Sequence, residues 1–169
     1  MRLFLIPFLS MMIVLKGNPT FAQTDNNPFD NKIIISFMTG LQPETPKQAV
    51  ELWILGVKNR SGAVQYALLS PTLQKLTKKK FDERYWSTGQ SSPWVDNFGT
   101  TKVEKINDEK VKFTVTYELI SSYKNFGTGQ KVITLEKNPA TGKRTWFITK
   151  IVTKYKEYEG VTPAETVIK

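Results

Sequence analysis

The order of periodic segments in the sequence predicts an α+β domain, with N-terminal helices packed on a curved antiparallel sheet of about four strands. Apolar residues recur at helical spacing between residues 46 and 81, and they alternate with polar residues from residue 110 onward. We expect the domain to cover residues 45–158. A tether or short strand is expected at residues 23–44, and a C-terminal tail at residues 159–169.

The first helix is predicted to begin at Pro46. Thr45 and Gln48 have the spacing of a capping box, and proline is favoured in the first helical turn. Apolar residues at helical spacing predict its buried face, formed by Val50, Trp53, Ile54 and Val57. The sequence NRSG at residues 59–62 predicts the turn that ends it.

Two further helices are predicted before the sheet begins. Residues 63–69 form a short apolar helical segment, and Ser70-Pro71 repeats the capping signal for a helix that places Leu73, Leu76 and Phe81 on one side. Lysines at its end, residues 78–80, complement the helix dipole. This favours a solvated helix end over a binding patch.

Strict alternation predicts the strands. In the segment 110–121 the inward positions are apolar and the positions between them are polar; the apolar set is Val111, Phe113, Val115, Tyr117 and Leu119. Residues 130–136 and 145–155 follow the same pattern, and turn sequences such as NFGTG and NPATGK separate the runs. Successive strands joined by short turns are typical of an antiparallel meander.

The N-terminus has the pattern of a secretory signal peptide at residues 1–22. Arg2 precedes a short apolar run at residues 3–15, and a Thr-x-Ala site ends at Ala22. The run is shorter than the roughly 20 residues that span a membrane, so we expect cleavage after Ala22, with a retained anchor as the alternative. Export to the secreted or extracytoplasmic space is the predicted localisation.

Composition excludes several classes of site. The sequence contains no histidine and no cysteine, which removes Ser-His-Asp and Cys-His catalysis, His-ligated zinc and disulfides.

The expected mature chain is basic. Without Arg2 and Lys16, the 24 Lys and Arg residues become 22 against 15 Asp and Glu, a net charge of +7. This charge favours solubility or weak contact with anionic cell-wall or lipid surfaces. No nucleic-acid motif is present, and we expect no cofactor and no metal.

The stretch WSTGQSSPWVDNF, residues 86–98, is interpreted as a structural corner between the last helix and the first strand. Pro93 favours an extended backbone at Ser92, and hydroxyl side chains commonly satisfy backbone groups in such corners. The Ser-x-x-Lys match at Ser121 is rejected as a catalytic motif, because that serine ends a predicted strand instead of opening a helix.

The helices-then-strands order and the stretches ELWILGVKNRSGAVQYALLSP, SSPWV and TWFITKIVTKY resemble the nuclear transport factor two-like (cystatin-like cone) superfamily. The similarity is to its extracytoplasmic Gram-positive bacterial type and covers residues 45–156. It implies a conical pocket between helices and bent sheet, used by some members for isomerase or dehydratase chemistry and by others for non-catalytic contact. A homodimer through the sheet is a further expectation.

The sequence therefore predicts an exported, non-catalytic module that binds an unidentified protein or small ligand. The alternative is a small enzyme that uses an aspartate beside a tyrosine in the cone, since the resemblance implies that pairing. No catalytic residue is assigned. The pocket or binding candidates are Trp53, Tyr66, Tyr85, Trp86, Trp94, Asp96, Tyr117 and Trp146.

Overall fold

The computed structural model describes residues 40–137, 145–154 and 157–168, and within them the chain has an α+β fold. In these described ranges, three helices precede a five-stranded sheet. The helices are α1 (Pro46–Lys58), α2 (Gly62–Ala67) and α3 (Pro71–Asp82). The strands are β1 (Trp94–Asn107), β2 (Lys110–Ile120), β3 (Asn125–Lys137), β4 (Trp146–Lys154) and β5 (Glu165–Ile168).

Side-chain caps begin all three helices. The hydroxyl of Thr45 accepts a hydrogen bond from the backbone N–H of Gln48 at 3.1 Å. Ser61 and Ser70 cap α2 and α3 in the same way, and proline occupies the first turn of α1 and α3. The predicted starts at Pro46 and Pro71 are therefore confirmed.

The predicted inner faces of the helices are correct in most positions. Val50, Trp53 and Val57 are buried on α1, whereas Ile54 is only partly buried. On α3, Phe81 is fully buried but Leu76 is 71% exposed. The prediction that Leu76 lies on the same side of α3 as Phe81 was wrong. The apolar residues of α3 spread over a wider part of the helix surface than the strip that contacts the rest of the domain.

The sheet differs from the predicted one in strand number and direction. Strands β1 to β4 form the expected antiparallel meander in sequence order. A fifth strand, β5, pairs parallel to β4, with Ile151 opposite Glu165 and Lys154 opposite Ile168. The sheet is thus five-stranded and mixed, because residues expected to form a tail satisfy the free backbone groups along the edge of β4.

The core lies between the helices and one face of the sheet. On β2 every second residue is buried, from Val111 to Leu119, as the alternation predicted. Helix α1 contacts β1, β3 and β4, and α3 contacts β4. The largest fully buried side chain in the described part of this core is Trp53, which has no exposed surface.

The N-terminal predictions lie mostly outside the described residues. The predicted signal peptide falls there entirely, and only residues 40–44 of the predicted tether or short strand are described. Within the described ranges, no helix is long and apolar enough to cross a membrane.

Candidate functional site

A pocket of about 220 Å³ lies beside the end of α1, where three other parts of the chain meet. These parts are the corner at residues 88–91, the start of β1, and residues 160–165 of the C-terminal segment, which we define as residues 158–165. Its lining combines apolar side chains with charged and hydroxyl-bearing ones. Its lining is Val57, Lys58, Arg60, Thr88, Gly89, Gln90, Ser91, Pro93, Trp94, Val95, Leu119, Lys131, Gly160, Thr162 and Glu165.

An ionic network that includes three of the pocket-lining residues, Lys131, Thr162 and Glu165, lies beside this cavity. Lys131 on β3 has a 1% exposed side chain, and its ammonium donates to Glu159 at 2.5 Å and to Glu165 at 2.7 Å. A third bond, of 3.2 Å, reaches the hydroxyl of Thr153 on β4. An ammonium has three donors, so every N–H of Lys131 has a partner. Such complete pairing is what a buried charge requires.

Glu165 is held as firmly as the lysine. Its Oε2 also accepts a bond from Thr153 at 2.6 Å, and its Oε1 accepts one from Thr162 at 2.8 Å. Its side chain is completely buried. Both oxygens of this carboxylate are therefore occupied by the chain itself, and a bound molecule would have to displace existing bonds to reach them.

Tyr117 on β2 extends the network on the side away from β4. Its hydroxyl donates to Oε1 of Glu159 at 2.5 Å, and the Lys131 ammonium lies 4.9 Å from its ring centroid. Burial, followed by the bond to Glu159, raises the pKa of Tyr117, so the phenol stays protonated as a donor. Gly129 lies directly against this ring, where a Cβ would overlap it.

The network contains more negative than positive formal charge. Two carboxylates, on Glu159 and Glu165, face the single ammonium of Lys131. Oε2 of Glu159 is buried and has no hydrogen-bond partner among the described residues. Within the described residues, the ammonium of Lys131 and both carboxylate oxygens of Glu165 thus have hydrogen-bond partners. Oε2 of Glu159 is the network atom that lacks one.

The C-terminal segment owes its position to long-range contacts. Besides the two ion pairs to Lys131, Arg84 donates to the carbonyl of Val161 at 2.8 Å, and Gln90 donates to the carbonyl of Tyr158. Gly160 and Thr162 of this segment line the pocket. The pocket therefore depends on bonds between residues far apart in the sequence.

The corner at residues 86–98 has both a structural and a pocket-lining part. Thr88 is buried, accepts a bond from Gln65 on α2 at 2.6 Å, and donates its N–H to the carbonyl of Arg60 at 3.0 Å. The expected bonds from serine hydroxyls to the corner's own backbone are not present among the described residues. Thr88 and Gln65 hold the corner instead, while Gly89 to Val95 face the pocket in part.

The predicted aromatic candidates lie in several different parts of the structure. Trp94 lines the pocket, and Tyr117 belongs to the ionic network. Trp53 and Trp146 belong to the core. The remaining candidates are Tyr66 and Trp86, whose rings meet edge to face at 5.1 Å, and Tyr85, which is 91% exposed. Burial raises the pKa of Tyr66.

Asp96 forms an ion pair at the surface. Its carboxylate pairs with the ammonium of Lys58 at 2.7 Å, and the N–H of Asn97 donates to it at 2.9 Å. The bond from Lys58 and then that from Asn97 lower the pKa of Asp96. Among the described residues, no tyrosine bonds to Asp96, so the expected aspartate–tyrosine couple is not formed by direct contact.

Sequence reasoning missed the charged members of the site. Lys131 occupies an inward position of β3, between buried Gly129 and Ile133, where alternation calls for an apolar residue. A lysine in such a position was a signal for a buried ion pair. The partners gave no comparable signal, since Glu159 and Glu165 stand 28 and 34 residues further along the chain.

A second depression, of about 540 Å³, lies on the sheet, where β2, β3 and β4 contribute most of its lining. Its lining is mainly charged or hydroxyl-bearing and includes the surface ion pair of Lys110 with Glu136 at 2.7 Å. It contains no part of the buried network. The first pocket is therefore the better candidate for a site.

Comparison with known proteins provides no relative: no family model, no curated protein and no solved structure matches the chain. The described part of the chain also contains no group of three or more acidic, histidine or cysteine side chains arranged to hold a metal ion.

Proposed function

We propose that this protein is an exported, non-catalytic binding protein whose pocket beside the end of α1 takes a small organic ligand. The observation that carries the proposal is the pocket itself, whose lining combines the apolar residues Trp94, Val95 and Leu119 with polar residues such as Arg60 and Ser91. Concave sites with apolar walls and a few placed polar groups are typical of small-ligand binding. The volume of about 220 Å³ favours a small molecule.

The carboxylate of Asp96 and the phenol of Tyr117 already have hydrogen-bonding partners, which supports binding over catalysis. A general base needs a pKa near the working pH and an open oxygen. The pKa of Asp96 is lowered by its bond with Lys58, and the pKa of Tyr117 is raised by burial. Each therefore holds its usual protonation state more strongly, which is the opposite of what proton transfer requires.

We also propose membership in the nuclear transport factor two-like superfamily, in its extracytoplasmic bacterial type. Three helices followed by a sheet, with the helices on one face, support this assignment. The superfamily places its ligand sites between helices and sheet, as the pocket here lies between the end of α1 and strands β1 to β3.

A thermal-shift screen with small organic fragments tests pocket binding. Fragments that bind the native state should raise the melting temperature, because ligand at 100 times its Kd stabilises by about 2.7 kcal/mol. Ser91→Trp should abolish the shifts by filling the pocket, whereas Ser122→Trp, the same change at an exposed turn, should preserve them. Shifts that survive Ser91→Trp, or fragments that are chemically converted during incubation, would contradict a non-catalytic pocket.

Export predicts a defined N-terminus. Material recovered outside the cytoplasm should begin at Gln23, because the Thr-x-Ala site ends at Ala22. Mass analysis of the intact exported protein measures this directly. Replacing Ala22 with aspartate should block processing, since the site requires a small residue. Exported protein that retains Met1 would show that the segment is an anchor.

A further inference from the structure

Helix α1 ends in a Schellman motif with an arginine at the position where glycine is usual. The N–H of Ser61 donates to the carbonyl of Gly56 at 2.8 Å, and the N–H of Arg60 donates to the carbonyl of Val57 at 3.0 Å. With Asn59 as the cap, these are the two bonds that define the motif. Arg60 is then the C′ residue and has a left-handed backbone, with φ of 54°.

An arginine at this position is disfavoured by its own Cβ. Glycine adopts the left-handed region without steric penalty, whereas other L-residues do so at a cost. Backbone strain of this kind is often found where a side chain has a function. The side chain of Arg60 lines the pocket, where it is exposed. Its position in the pocket suggests why an arginine stands here despite the backbone cost.

The guanidinium of Arg60 is also the cation of the pocket lining that has no partner among the described residues. It forms no hydrogen bond or ion pair within the described residues. The two other cations in the lining are engaged, Lys58 by Asp96 at 2.7 Å and Lys131 by two glutamates. An arginine presents a planar pair of donors that matches a carboxylate. One free arginine suits a ligand that carries a single negative charge.

The charge and the apolar surface of the other lining residues determine how a ligand is oriented. The buried network has a formal excess of negative charge, so an anionic group is repelled from Lys131 and Glu165 and stays near Arg60. Trp94, Val95 and Leu119 offer apolar surface to the remainder of the ligand. We propose that the pocket binds a small monocarboxylic acid with an apolar body, with Arg60 as the carboxylate-binding residue. This proposal rests on the proposed binding function.

Two probes of similar shape, one charged and one neutral, test whether the negative charge of the ligand contributes to binding. We expect 3-phenylpropionate to bind, and its neutral amide 3-phenylpropionamide to bind at least tenfold more weakly, in isothermal titration with the full exported chain. Arg60→Gln should weaken 3-phenylpropionate about ten- to hundredfold, the range for a lost charged hydrogen bond, and leave the amide unchanged. Lys75→Gln, which removes one exposed positive charge outside the pocket, should change neither affinity.

Arg60→Gly provides a test that unfolding cannot imitate. Glycine relieves the left-handed strain, so the melting temperature of this variant should rise while 3-phenylpropionate affinity falls as in Arg60→Gln. A variant more stable than the parent yet defective in carboxylate binding identifies a side chain kept for recognition.

The outcomes of these experiments test the carboxylate proposal separately from the proposed binding function on which it rests. Equal affinity for the acid and the amide, both lost in Ser91→Trp, would overturn the carboxylate assignment and leave pocket binding in place. Unchanged acid binding in Arg60→Gly would overturn the role of Arg60. If neither probe nor any fragment binds the pocket, both proposals are wrong.

Discussion

Replacing Lys131 with methionine is expected to destabilise the protein by about 3–5 kcal/mol, the cost of removing one partner of a buried ion pair. The ammonium has 1% exposed surface and holds two carboxylates that are equally buried, at 2.5 and 2.7 Å. Methionine keeps most of the side-chain volume but leaves Glu159 and Glu165 as unbalanced buried charges. Urea denaturation at neutral pH measures the loss.

Two control variants assign the loss to uncompensated charge. Adding Glu159→Gln and Glu165→Gln to Lys131→Met removes the charges together and should recover part of the stability, since a neutral buried cluster costs less than an unpaired one. Lys110→Met breaks a surface pair with Glu136 and should cost about 1 kcal/mol or less. If Lys131→Met costs no more than Lys110→Met, the network does not hold the C-terminal segment.

Trp53→Ala is expected to destabilise the protein by about 3–5 kcal/mol, as for other buried large aromatics. Trp53 has no exposed surface, belongs to the core and does not line the pocket. It therefore fills the space between helices and sheet, and its truncation leaves a cavity. Denaturant unfolding monitored by circular dichroism measures the change.

Trp94→Ala is the matched variant for a tryptophan that lines the pocket. Trp94 is half-buried, so its truncation should cost less stability and should selectively weaken fragment binding. Near-native stability of Trp53→Ala would contradict a filled interior and would favour an open cavity with room for a substrate.

Local signals explain why the helices and the first four strands were predictable. The capping side chains of Thr45 and Ser70 lie three residues before the N–H groups they bind. The alternation along β2 is likewise contained within the strand itself. β5 has only four residues, and three of them are exposed. Its pairing is determined by the free edge of β4, which no local pattern reveals.

The same distinction applies to the site. Trp94, one of the predicted candidates, lines the pocket, and it follows the corner that turns into β1. Asp96 was placed near the pocket as an acid–base candidate, but its pairing with Lys58 depends on the packing of α1 beside β1. The network of Lys131 joins residues from β2, β3, β4 and the C-terminal segment, and a single sequence gives only its inward lysine.

Chemical-shift mapping of 3-phenylpropionate on the ¹⁵N-labelled protein tests the central claim, that the pocket is the binding site, most directly. The account predicts saturable shifts in the backbone amides of Arg60, Thr88, Gly89, Ser91 and Val95, which surround the cavity. Arg60→Gly should weaken the titration. Saturable shifts confined to the amides around Lys112 and Lys150 on the sheet surface, with none at the pocket, would contradict it.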